Sequence, residues 1–121
     1  IRLLNIYESL ILILSKHMPH EAAIEKTFVN NNPSTSLKLG HARGVILLAL
    51  AKKKLRCFEY APNQIKKSVV GRGHADKDQI AKMVMMLLSK NIEGTSDVSD
   101  ALAIAITHAY QKHNKIAQAI S

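Results

Sequence analysis

Cysteine, acidic residues and long apolar runs are all scarce in this chain, and each shortage closes off a class of protein. The single cysteine, Cys57, cannot form an internal disulfide, and no Cys/His cluster has the spacing of a structural zinc site. A reducing, cytoplasmic compartment is the expectation that follows. The longest apolar runs, Val45 to Ala51 and Met83 to Leu88, fall far short of the roughly 20 residues that span a bilayer, so a soluble protein is expected. Missing too are a Walker motif, a Gly-x-Ser-x-Gly elbow and a dinucleotide fingerprint. The chain opens on Ile1 without a start methionine or a signal-peptide pattern, and reads as part of a longer protein.

What is present is basic. Lys and Arg number 17 against nine Asp and Glu, a net charge of +8. Such a surface gains affinity for a polyanion by releasing counterions from phosphate. With 121 residues, 47% of them hydrophobic, the chain has enough apolar material for one small domain spanning residues 1–121.

Leu3, Tyr7, Leu10 or Ile11, and Leu14 recur at helical spacing and predict a helix over 2–16, with Pro19 just beyond it. Glu21 to Phe28 reads as a short strand with Glu25 near its C-terminal end. After the polar run Asn30 to Ser34, a helix carries Leu37, Leu39, Val45, Leu48 and Ala49, with Ser34 or Thr35 as its expected cap. Gly40 and Gly44 share one face of it, where another backbone could come close. Residues 55–60 make a second strand, so strand, helix and strand predict a parallel βαβ unit of an α/β fold. Next come a short helical turn through Lys66, the loop Gly71 to His74, a helix from about Asp76 to Leu88, a polar linker from Asn91 to Ser96, and a helix from Asp97 to about His113.

Asp97 and Asp100 lie three apart at a helix start, so they share a face and could bind a divalent cation together. Taken by itself the spacing is explained more simply by capping and the helix macrodipole. The run Ala101 to Ile106 is apolar all round, which predicts a helix packed on several sides and an acidic first turn shielded from water. Shielded like charges favour a cation between them. Glu25, in an otherwise apolar strand, stands where α/β folds gather ligands, although a structural carboxylate paired with Lys or Arg fits as well. The segment Lys66 to Lys77 mixes cations with Gly71 and Gly73, a composition that suits either a phosphate backbone or a solvated loop. Phe28, beside a polar loop, could stack on a base or plug the core. The six histidines have no metal-protease spacing, and His108, on the face of Ile104, reads as a structural residue.

Four ordered blocks resemble one family. They are Ala23-Ile24-Glu25-Lys26-Thr27-Phe28, Ser36 to Val45, Val69-Val70-Gly71, and Asp97 to Ala105. The sequence is similar over essentially its whole length to the bacterial crossover-junction endodeoxyribonucleases, the RuvC resolvases of the RNase H-like superfamily. The resemblance implies a metal-dependent endonuclease that resolves Holliday junctions in DNA recombination and repair. In that family a strand glutamate and two aspartates opening the last helix join an aspartate on the first strand to hold two Mg²⁺ ions, for which Mn²⁺ can substitute. Glu25, Asp97 and Asp100 fall on three of those positions, as catalytic and metal-binding residues. The resemblance further assigns Lys66 and Lys77 to contacts near the cut and Phe28 to stacking at the opened crossover; Lys67 and Arg72, from the basic composition of the same segment, are expected DNA contacts beside them. It implies four-way junction DNA, a homodimer built on the glycine-bearing helix, and a branch-migration complex as partners.

The family's first strands, with their aspartate, have no counterpart in these residues. By themselves the 121 residues are therefore expected to bind metal poorly, to lack nuclease activity and to be marginally stable. The alternative expectation is a non-catalytic DNA-binding or dimerisation module on an incomplete RNase H-like fold.

Overall fold

In the computed structural model of the chain, residues 2–26, 32–71, 76–89 and 96–114 are described. The elements run α1 (Arg2–His17), β1 (Glu21–Glu25), α2 (Pro33–Lys52), β2 (Arg56–Tyr60), α3 (Pro62–Val70), α4 (Lys77–Leu88) and α5 (Ser96–Asn114). β1 and β2 pair as a two-stranded parallel sheet, with α2 as the crossover between them. The expected α/β class and βαβ unit are both there.

The chain divides into two compact units. Described residues 2–22 and 32–58 form the first, and 23–26, 59–71, 76–89 and 96–114 the second. In the first unit, α1 packs on α2. The stripe Tyr7, Leu10, Ile11 and Leu14 is its half-buried to buried face, while Leu3, expected in that stripe, is exposed, as are Leu12 and Ile13. α1 ends at Met18, whose N–H donates to Leu14 O at 2.9 Å with φ at 47°. α2 is capped by Asn32, not by Ser34 or Thr35. The Asn32 Oδ1 accepts from Thr35 N at 3.2 Å, and Pro33, which has no N–H to orphan, takes the first helical position.

In the second unit, α3, α4 and α5 pack on one another. α3 is a nine-residue helix rather than a short turn. Pro62 starts it, and Gly71 ends it in the left-handed region at φ 93°, a position where any side chain would be strained. Asp76 caps α4 through a reciprocal box, its Oδ1 accepting from Gln79 N at 2.9 Å while Gln79 Oε1 accepts from Asp76 N at 3.0 Å. The core is drawn from one stripe per helix, with Ile65 and Val69 on α3, Ile80 and Val84 on α4, and Ala103 and Thr107 on α5. Thr107, fully buried, donates from Oγ1 to Ala103 O at 2.8 Å, so its hydroxyl needs no other partner.

Two further expectations change. α5 is not enclosed on every side, because Ala101, Ala105 and Ala109 are exposed and only the face of Ser99, Ala103 and Thr107 is buried. An alanine-rich run looks apolar all round in sequence, yet alanine costs little when exposed. The first strand ends at Glu25, short of Phe28, which lies outside the described residues together with Arg72.

Candidate active site

Glu25 is the last residue of β1, and the backbone register continues past it, with Lys26 N donating to Tyr60 O at 2.8 Å. Its half-buried carboxyl faces a cleft of about 520 Å³ in the second unit. Asp100 on α5 lines the same cleft, as do Lys66 on α3, Lys77 on α4 and the cap residue Asp76, while Ile65 and Ile80 supply apolar wall. Each charged group is placed by a rigid feature. Lys66 follows the buried Ile65, Lys77 follows the cap residue Asp76 inside the capping box, and Asp100 precedes the buried Ala103 by one turn.

Burial pushes the Glu25 carboxyl above its ordinary value of 4.5, and repulsion from Asp100 pushes it the same way; Lys66 and Lys77 partly offset both. Two carboxylates that sense one another across a partly desolvated cleft form an oxygen-donor pair that favours a cation or a proton. Lys77 Nζ lies 3.8 Å from Asp100 Oδ2, with the Lys77 side chain well exposed and that of Asp100 partly so. A solvated pair of that length is worth at most about 1 kcal/mol, so it can be exchanged for another partner.

Of the expected site residues, the structure brings together Glu25, Asp100, Lys66 and Lys77. Asp97 lies in the first turn of α5, exposed and outside the cleft lining, and Lys67 is exposed on α3. Among the described residues, no group of three or more His, Cys, Asp and Glu side chains is arranged to hold a metal ion. Asp76 was not singled out in the sequence; its signal was the Asp-x-x-Gln pattern of a capping box. His108 Nδ1 is hydrogen-bonded to the buried Tyr60 hydroxyl at 2.5 Å.

A family model described as crossover junction endodeoxyribonuclease RuvC matches residues 1–108. The chain belongs to the RuvC family. It is 56% identical to the RuvC of Bradyrhizobium diazoefficiens over 113 residues, which cover 93% of this chain and 65% of that protein. The RuvC of Brucella anthropi is 50% identical over 113 residues, covering 93% and 66%. The chain thus spans just under two thirds of the length of these relatives. Among solved structures, Thermus thermophilus RuvC superposes with a TM-score of 0.86 at 31% identity, over 98% of this chain and 72% of that one. T. thermophilus RuvC in complex with Holliday junction substrate gives 0.89 at 30% identity, over 98% and 73%. The RNase H-like fold expected from the sequence is therefore that of these neighbours. No helix among the described residues is long and apolar enough to cross a membrane.

Proposed function

We propose that this protein is a Holliday-junction resolvase, an endonuclease that cuts four-way DNA junctions by paired, metal-assisted nicks. The observation that carries this reading is the convergence of Glu25 and Asp100 on one cleft that Lys66 and Lys77 also line; family membership supports the substrate. Mg²⁺ is commonly held by one or two carboxylates, with water and substrate phosphate completing its shell, and this donor set fits it; Mn²⁺ shares the preference for oxygen. Two ions are the family expectation, and Asp97 joins the ligand set on that ground alone. A divalent cation bound there supplies Lewis-acid polarisation of the scissile phosphate and makes water a better nucleophile. The protein's own groups do the rest. Glu25 and Asp100 offer fixed anionic oxygens, while Lys66 and Lys77 neutralise phosphate, Lys77 exchanging Asp100 for a phosphate oxygen as DNA enters.

Phe28 as a stacking ring and Lys67 and Arg72 as backbone contacts complete the proposed DNA interface. The same proposal covers the remaining expectations, namely one resolvase domain, action in the cytoplasm, contact with a branch-migration complex and a homodimer formed through α2. A Cβ added at Gly40 or Gly44 would meet nothing within 4 Å, which leaves that face of α2 room for a partner.

The test is cleavage of a synthetic four-way junction, with Mg²⁺ or with a chelator, by the intact protein, meaning a form that includes the family's first strands and their aspartate, since the 121 residues by themselves are expected to be inactive. Paired nicks that need the metal and vanish in Asp100→Asn, with junction binding retained, are expected. Cleavage that survives chelation or the substitution would refute the reading.

A further inference from the structure

Between Glu25 and Glu59 the chain carries no acidic residue, and seven Lys and Arg stand in that interval. Four of them, Lys52, Lys53, Lys54 and Arg56, fall within five positions and are all exposed. The backbone beneath them is fixed. Leu55 N donates to Leu50 O and Lys54 N to Ala51 O, both at 2.9 Å, the paired bonds of a Schellman closure of α2, with Leu50 and Leu55 both buried. This closure needs a left-handed residue after the cap, where glycine is usual; here Lys54 occupies it with φ 59°. Cations are favoured beside the negative end of a helix, which accounts for Lys52 and Lys53. It does not account for Arg56, which lies beyond the helix on β2 with its guanidinium 5.2 Å from the centroid of the Phe58 ring.

We propose that Lys52, Lys53, Lys54 and Arg56 form a second nucleic-acid contact, made to the phosphate backbone of a duplex arm and using none of the cleft residues. This rests on the reading of the protein as a junction-binding nuclease. Four cations on a rigid turn match a dense line of phosphates. Phe58 is buried, so the turn offers an unpaired base no stacking face, and backbone rather than base is what it fits. Residues 1–22 and 27–58 together carry eight Lys and Arg against Glu8 and Glu21, so the unit that holds the turn is strongly basic.

The test compares the intact protein with the variant Lys52→Gln/Lys53→Gln/Lys54→Gly/Arg56→Gln, in which glycine preserves the left-handed position. Binding to a long-armed four-way junction is measured across a salt series, with thermal melts to establish folding. A charge-matched variant, Arg2→Gln/Lys16→Gln/Lys38→Gln/Lys82→Gln, is the control. The slope of log affinity against log salt should become shallower by roughly 0.9 for each phosphate no longer neutralised, about two to four in total, in the first variant and by clearly less in the control. If Arg56→Gln disturbs β2, the three-lysine variant keeps the test, with a slope shallower by about two to three expected from the same relation. An unchanged slope overturns the proposal, and so does an equal change in both variants, which reports net charge alone. Loss of binding to phosphatidylserine vesicles with the DNA slope intact overturns it in favour of a membrane surface. Failure of the unaltered protein to bind the junction at all would instead refute the functional reading on which the inference rests.

Discussion

The two units of this chain solve the burial problem to different degrees. In the second, α3, α4 and α5 each give one stripe to a shared core, Val84 and Thr107 are fully buried, and among the large apolar side chains described there only Met86 is more than half exposed. In the first, α1 and α2 pack on each other but leave Leu4, Leu12, Ile13, Leu37 and Leu48 more than half exposed. The charge divides unevenly as well, because residues 23–26 and 59–118 hold seven of the nine acidic side chains. The carboxylates proposed to do the chemistry thus belong to the better-packed unit, where small errors in position are resisted by close packing. The apolar, basic unit has surface left over.

The largest effect that tests this contrast is on cleavage. Asp100→Asn should lower junction nicking by the intact protein at least about 100-fold, the equivalent of roughly 2.7 kcal/mol of lost transition-state stabilisation. Asp97→Asn, outside the cleft lining, should cost less; single-turnover rates on one junction decide the order, and equal losses would place both aspartates at the same ion. Next in size is packing. Val84→Ala should cost about 2 kcal/mol in denaturant unfolding, against less than about 0.5 kcal/mol for Leu48→Ala, which is 60% exposed. A Leu48→Ala cost approaching that of Val84→Ala would show that something covers this face in solution. Loss of the α4 cap in Asp76→Ala should cost about 1 kcal/mol, read in the same unfolding experiment.

The smallest effect concerns Glu25. Its carboxyl is protonated more readily in the folded than in the unfolded chain, so its contribution to stability is fully present below pH 4.5 and is lost as pH rises through its elevated value. Glu25→Gln removes that loss and should be slightly more stable than the unaltered protein at pH 8, with the difference shrinking toward pH 4; melts without metal at several pH values check the sign. A variant less stable at pH 8 would mean that Lys66 and Lys77 outweigh burial and Asp100.

Much of this was legible in the sequence, for identifiable reasons. The stripe through Leu14 and the order of strand, helix and strand are local patterns, and both reappear with shifts of a residue or a few at their ends. Glu25 stood out because it follows the apolar run Ala22 to Ile24 at a strand end. The meeting of Glu25 with Asp100 could not be read from spacing, since 75 positions separate them and only the packing of α3, α4 and α5 closes the gap. Asn32 was overlooked as a cap because Ser34 and Thr35 follow so closely, whereas Pro33 fixes the first helical position and so the cap before it. The bond from Tyr60 to His108 spans 48 positions and has no local signature at all.

That bond also makes the protein its own reporter. The chain has no tryptophan and three tyrosines, so its near-ultraviolet emission comes from Tyr7, Tyr60 and Tyr110 alone. Tyr60 is enclosed and tied to an imidazole in the second unit, whereas Tyr7 belongs to α1 in the first. With Tyr110→Phe as background, replacing either of the other two rings leaves a single fluorophore in one unit. The order in which the two halves of the chain come apart can then be followed without a label.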